Sequence, residues 1–249
     1  MIRNISIRLL GIFLFVLVAG TVVGWLIIED LAGEEMGFTF LMPGLIISLI
    51  IFSIQSALFF LAGRRLFGQL LFLTAGVFSI TWFMFCFFAP LLWIDYIKIE
   101  FRIFMAVALV FLSVSNILEA CRRFNEKWER RVQPVRYIKS GEDMKKNIID
   151  WDELIKSMNL STEIYIPGVS PGLAAGISVV MVVFMLLGFF LKSIYPIFSA
   201  FAWGIPSALT VAYLFQIVGY NAAQAIKVKS LERKFNVKFQ SSVDANHRC

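Results

Sequence analysis

Charged residues are scarce in this chain of 249 residues, since Asp, Glu, Lys and Arg make up 16% of it, against about 25% in soluble domains. Hydrophobic residues make up 59%, phenylalanine alone occurs 26 times, and the mean hydropathy is +0.80. This composition excludes a disordered chain and an ordinary soluble enzyme domain. The apolar runs do not alternate with polar residues, which also excludes a transmembrane β-barrel. We therefore predict an all-α, multi-spanning membrane protein.

Histidine and cysteine are also rare. His247 is the only histidine, and the three cysteines, Cys86, Cys121 and Cys249, form no CxxC pair. These counts argue against Ser-His-Asp and Cys-His nucleophilic sites, zinc and haem sites, and a disulfide framework. We therefore predict no catalytic residue, no cofactor and no metal site, and we expect that the protein is not an enzyme.

Four apolar blocks cover most of the chain, at residues 9–28, 38–94, 103–118 and 168–226. The second and fourth blocks are too long for one crossing of a hydrocarbon core about 30 Å thick. The second is interrupted by Arg64 and Arg65, and the fourth by a polar turn that contains Lys192 and Pro196. This predicts six membrane spans, at residues 9–28, 40–62, 67–93, 103–119, 170–191 and 197–224.

The basic residues predict an orientation. With the N-terminus inside, the cytoplasmic segments contain 20 of the 23 Lys and Arg residues, as the positive-inside rule requires. We therefore predict that both termini are cytoplasmic, in the inner (plasma) membrane of a bacterium. The net charge of +6 then reflects topology, and we expect membrane lipids rather than nucleic acid as partners.

The predicted spans divide the chain into four regions. Residues 1–118 contain spans one to four, and residues 168–226 contain spans five and six. Residues 119–167 form a cytoplasmic loop, in which an apolar residue at every third or fourth position predicts an amphipathic helix over 142–158. Residues 227–249 form a basic tail. Its apolar stripe either lies among lipid headgroups or packs on helix 142–158; it comprises Val228, Leu231, Phe235 and Phe239.

Between the membrane interfaces the spans contain no charged residue, whereas pumps, ion-coupled transporters and voltage sensors depend on such residues. The deepest polar residues are Gln55 and Gln216. They either line a polar pathway or form hydrogen bonds between helices, and we favour the second interpretation.

Small residues indicate where helices approach closely. Gly20 with Gly24, and Gly172 with Gly176, both fit the GxxxG spacing that allows two helix backbones to come together. These four glycines are our candidate helix-packing residues. Pro206, two residues after Gly204, predicts a kink or a break in span six.

Acidic residues concentrate in the predicted outer loop between spans one and two. Glu29, Asp30, Glu34 and Glu35 form two pairs there. Such oxygen ligands suit hard cations, but short solvated acidic loops are common, and we interpret these residues as a surface that contacts a protein partner.

Three classes of function remain, in decreasing order of preference. The first is a non-catalytic interaction protein, such as an assembly factor or an immunity-type protein that protects its own membrane from a toxin. The second is a transporter or channel for a small neutral solute, lined by Gln55 and Gln216. The third is a membrane-embedded enzyme that acts on lipid.

Overall fold

A computed structural model describes residues 7–62, 65–131, 138–140, 147–149, 151–160, 163–169 and 171–241. Almost all of these residues are helical. The helices are α1 (Ile7–Ala32), α2 (Glu34–Ala62), α3 (Leu66–Phe88), α4 (Pro90–Trp93), α5 (Ile99–Arg131), α6 (Trp151–Met158), α7 (Pro171–Leu191) and α8 (Pro196–Phe235). Three short strands are β1 (Ile138–Ser140), β2 (Asn147–Ile149) and β3 (Gln240–Ser241).

Five helices in the described part of the chain are long and apolar enough to cross a membrane. They are α1, α2, α3, α5 and α8, and α7 adds a shorter apolar stretch over Val180–Leu191. Their exposed surfaces are rich in large apolar side chains, which are suited to contact with lipid. The chain thus has the features of a helical integral membrane protein, in agreement with the prediction of that class.

Helices α3 and α8 form the centre of the bundle. Helix α8 packs against α3, α5 and α7, while α1 and α2 pack against each other and against α3. The predicted break at Pro206 is wrong, because α8 continues through this residue. In the membrane-spanning part of a helix, neighbouring side chains can satisfy backbone groups that a proline leaves free.

The predicted loop between spans one and two is also wrong. Glu29 and Asp30 belong to the end of α1, Glu34 and Glu35 form the first turn of α2, and Gly33 alone separates the helices. Gly33 has a φ of 95°, in the left-handed region that glycine adopts without strain. The chain therefore reverses at one residue, and the two carboxylates that follow are stabilised by the helix N-terminus.

The predicted helix over 142–158 is only partly correct. Helix α6 covers its second half, but residues 147–149 form β2, which pairs with β1 in antiparallel and with β3 in parallel orientation. Adjacent β-branched residues, Ile148 and Ile149, favour the extended conformation. Residues 142–146 lie outside the described part. The fold class is all-α, as predicted, and the described part adds one small three-stranded sheet.

The stripe on the basic tail packs on α6, which was one of the two predicted arrangements. Val228, Leu231 and Phe239 share a buried cluster with three residues of α6 and with the adjoining ends of α3 and α5. The α6 residues are Trp151, Leu154 and Met158. The fourth stripe residue, Phe235, stays partly exposed. We call this end of the bundle the tail end, and the opposite end, with the α1–α2 turn, the turn end.

Candidate functional site

The four acidic residues at the turn end differ in their surroundings. Glu34 and Glu35 are exposed, and no described residue forms an ion pair with them. The Asp30 carboxylate binds the Lys192 ammonium group at 2.6 Å, which joins α1 to the α7–α8 turn. Glu29 is half-buried, and its Oε2 atom has no hydrogen-bond partner in the described structure. Only Glu34 and Glu35 are thus fully available to a partner.

A second ion pair at the turn end involves Arg102. Its guanidinium group binds the Asp95 carboxylate at 3.1 Å and donates a hydrogen bond to the Ile97 carbonyl oxygen at 2.8 Å. Since Lys192 is also paired, most of the positive charge at this end is used in internal contacts. The exposed charge near the α1–α2 turn is therefore acidic.

The buried polar side chains near the middle of α1, α2 and α3 bind one another. The Gln55 amide donates hydrogen bonds to the Ala75 carbonyl oxygen at 2.8 Å and to the Ser79 hydroxyl. The hydroxyls of Thr21 and Ser48 are 2.8 Å apart, and the Trp82 indole donates to Thr21 at 3.0 Å. These hydrogen bonds join three helices, which is the structural role expected of uncharged polar groups in a membrane.

Gln216 has a different neighbourhood. Its amide donates a hydrogen bond to the Glu163 carbonyl oxygen at 2.9 Å, so it binds the segment that precedes α7. Gln55 lies in the α2–α3 contact instead, and both side chains are fully buried. The two glutamines thus bind different parts of the chain, which does not favour the alternative in which both line one pathway.

Asn116 holds the same segment by two hydrogen bonds that the sequence analysis missed. Its amide nitrogen donates to the Tyr165 carbonyl oxygen at 2.8 Å, and its amide oxygen accepts from the Tyr165 N–H at 3.0 Å. Residues 163–166 are not helical, so their backbone groups need partners from elsewhere when they pack among apolar helices. An extended apolar run directly before a helix start was the available signal.

A buried carboxylate lies one turn beyond Asn116. Glu119 binds Arg122 at 2.8 Å and Arg123 at 2.7 Å, and the Arg123 guanidinium lies 5.9 Å from the centre of the Tyr165 ring. The cation therefore connects the end of α5 to the segment held by Asn116. Arg123 therefore helps to hold this segment in place, and the two arginines neutralise the charge of the Glu119 carboxylate.

We expect the Asn116→Ala variant to lose about 2 kcal/mol in free energy of unfolding, because the Tyr165 N–H and carbonyl groups lose their partner in a buried site. Hydrogen exchange of residues 163–166 should accelerate. Thermal unfolding and amide exchange of the purified protein in detergent measure both effects. Asn221→Ala is the matched control, since no described residue bonds the Asn221 side chain; equal effects of the two changes would contradict this role of Asn116.

The two GxxxG pairs have different surroundings. A β-carbon at Gly20 would lie 2.8 Å from Phe83 Cα, and one at Gly24 would lie 2.8 Å from Phe40 Cε1. At Gly176 no described atom lies within 4 Å of that position, and the surroundings of Gly172 lie outside the described part. The first pair thus lies at close helix contacts within this chain.

Gly176 faces a groove between α7 and α8 instead. The groove has a volume of about 710 Å³ and is lined entirely by apolar side chains and small residues. The two helices are joined near the turn end, where the Ser199 hydroxyl donates to the Gly188 carbonyl oxygen at 2.8 Å. A groove with such a lining is suited to apolar groups only.

In the part of the chain that the structure describes, no three His, Cys, Asp or Glu residues lie close enough together to hold a metal ion. His247 and Cys249 lie outside that part. Cys86 is buried and Cys121 is half-buried, with its sulfur 3.5 Å from the Gly219 carbonyl oxygen.

The fold and its polar contacts are those of a helical integral membrane protein. No family model matches the chain, and no curated protein or solved structure shows significant similarity to it.

Proposed function

We propose that this chain is a non-catalytic, multi-pass membrane protein that acts through protein–protein contacts, as an immunity-type protein that protects its own membrane from a toxin. The observation that carries the proposal is the division of its polar groups. Inside the bundle the Gln55 amide and the Thr21 hydroxyl donate to or share hydrogen bonds with neighbouring helices, whereas Glu34 and Glu35 stand exposed and without an ion pair at the turn end. In this proposal the exposed carboxylates form the surface that contacts the partner.

In this proposal α7 is the sixth span, and both termini lie in the cytoplasm of a bacterium. The ion pair between Asp30 and Lys192 supports this, because it joins the end of α7 to the turn end. Asn116 holds the segment before α7 towards the opposite end of the bundle. The 20 Lys and Arg residues of the proposed cytoplasmic segments agree with this orientation.

The separation of Gln55 from Gln216 favours this function over neutral-solute transport. Each amide binds a backbone carbonyl of its own neighbourhood, and a shared pathway needs polar groups along one continuous surface. Contact with a protein partner requires no such surface within the bundle.

The test uses the product of the neighbouring reading frame as the candidate toxin. We expect cells that make this chain to survive exposure to that product, and the double variant Glu34→Lys, Glu35→Lys to reduce survival at least tenfold, because charge reversal repels a basic partner surface. Survival is counted as colonies at matched membrane levels of each variant.

Two controls separate contact from folding. The double variant Glu34→Gln, Glu35→Gln removes the charge without placing cations at the start of α2, where they destabilise the helix. Glu129→Lys, compared with Glu34→Lys alone, reverses one exposed carboxylate at the tail end and should leave survival unchanged. Truncation after Phe239 should also have less effect than reversal at the turn end. Silent reversal of Glu34 and Glu35, with loss of protection on deletion of 142–158, would contradict the proposal.

A further inference from the structure

One face of α8 changes from apolar to cationic at the tail end. Ile226 is 66% exposed, and Lys229 and Arg233 are exposed on the same side of the helix, since residues three, four and seven apart share a face. An exposed isoleucine is suited to lipid tails, whereas lysine and arginine are suited to the headgroup region. This change therefore marks the level of the membrane surface on α8.

Two other elements reach the same level. The end of α2 exposes Phe60 by 79% and Leu61 by 80%. The first residue of α3, Leu66, donates its N–H to the Phe239 carbonyl oxygen at 3.1 Å, and the Lys229 ammonium lies 5.7 Å from the centre of the Phe67 ring. The chain after α8 is thus attached to α3 where that helix begins, beside the lipid-exposed end of α2.

The turn after α8 brings a third cation to this place. Asn236 has a φ of 51°, and its N–H bonds to the Arg233 carbonyl oxygen, which ends the helix and reverses the chain. A recess of about 290 Å³ results, which we call the tail recess; it is lined by Lys229, Glu232, Arg233, Asn236, Val237 and Lys238.

The charges of the tail recess do not cancel. The Glu232 carboxylate accepts a hydrogen bond from the Phe239 N–H at 3.1 Å. Lys229, Arg233 and Lys238 form no ion pair with any residue that the structure describes. Three cations thus surround one carboxylate that is held by the backbone, and the recess has an excess positive charge.

We propose that the tail recess binds the phosphate of an anionic phospholipid headgroup. The three cations match a phosphate that carries several acceptor oxygens, and the exposed Ile226, Phe60 and Leu61 place lipid tails beside it. A soluble phosphate or a nucleic acid has no acyl chain that could contact these exposed apolar side chains. The inference does not depend on the proposed protective function or on the orientation of the chain, since either leaflet can supply an anionic lipid.

The test titrates the purified full-length protein in neutral detergent with phosphatidylglycerol and with phosphatidylcholine, and native mass spectrometry counts the bound lipid. We expect selective binding of phosphatidylglycerol, and a triple variant in which Lys229, Arg233 and Lys238 become Gln should weaken it by about fivefold per cation removed. The matched control changes Arg8, Lys98 and Lys156 to Gln, which removes the same charge from exposed positions elsewhere, and should alter binding less than twofold.

Each outcome decides the proposal. The proposal would be overturned if the triple variant bound phosphatidylglycerol as tightly as the wild-type protein does. It would also be overturned if the control variant lost as much affinity as the triple variant, because the attraction would then be spread over the whole surface. Full competition by millimolar inorganic phosphate would also overturn it, since the recess would then be a site for a soluble anion. If the triple variant does not fold, the single variants Lys229→Gln and Arg233→Gln replace it, with an expected loss of about fivefold each.

Discussion

Replacing Gly219 with alanine should lower the free energy of unfolding by about 3 kcal/mol, and replacing it with leucine should prevent α5 and α8 from packing. A β-carbon at this position would lie 2.8 Å from the carbonyl oxygen of Ile117, 3.0 Å from its Cα atom and 2.9 Å from Ala120 Cβ. Backbone atoms cannot rotate away as a side chain can, so α5 must move as a whole. Atoms inserted into a packed core typically lower the free energy of unfolding by about 1–3 kcal/mol. We expect a value near the upper end of this range, because the contact at Gly219 involves backbone atoms.

Gly176 provides the matched control within another apolar helix, α7. Its β-carbon position has no described atom within 4 Å, and alanine is favoured over glycine in a helix by up to about 1 kcal/mol. Gly176→Ala should therefore be neutral or slightly stabilising, and Gly176→Leu should be tolerated. Unfolding in mixed micelles of increasing SDS content measures all four variants. A Gly219→Leu protein as stable as the wild type would contradict the close α5–α8 contact.

The helices were predictable from the sequence because membrane thickness restricts them strongly. An apolar block of more than 50 residues must turn. The turn is expected at a pair of arginines, or at a lysine followed by a proline, because burying those charges in the hydrocarbon core would cost much free energy. The structure accordingly ends α2 at Ala62 and begins α3 at Leu66, and it ends α7 at Leu191 and begins α8 at Pro196. This reasoning needs only length and charge, and both are read directly from the chain.

The errors occurred where tertiary contact outweighs local pattern. Residues 142–158 have a helical spacing of apolar residues, yet β2 forms within them because two strands outside this range supply its partners: β1, just before it, and β3, distant in sequence. The turn at Gly33 has no loop because one left-handed residue is enough to reverse two helices. Neither partner pairing nor turn length can be read from periodicity.

The candidate site was only partly predictable for the same reason. The acidic residues at the turn end are adjacent in sequence, so their grouping was evident. That Asp30 is paired and Glu34 free depends on Lys192, which lies 162 positions away from Asp30. Asn116 likewise gains its role only from the segment that folds against it.

Reporter fusions should divide the chain into two sharply different sets of sites. An enzyme that is active only outside the cytoplasm should give full signal when fused after Glu35, Glu100 or Lys192, and background signal after Arg65 or Arg248. The physical reason is that basic segments are costly to move across the membrane, and 20 of the 23 Lys and Arg residues lie in the proposed cytoplasmic segments. A reporter that is active only in the cytoplasm, fused at the same positions, should give the reverse pattern.

The fusions after Lys192 and Arg248 decide whether α7 crosses the membrane. Helix α7 has 21 residues and is therefore about 32 Å long, enough to span the hydrocarbon core. The Asp30–Lys192 ion pair fixes its last turn at the turn end, while Asn116 fixes the preceding segment far from it. Six spans put Lys192 outside and Arg248 inside, whereas five spans without α7 put Arg248 outside. Strong external signal after Arg248, together with none after Lys192, would remove α7 from the set of spans and with it the proposed cytoplasmic position of the basic tail.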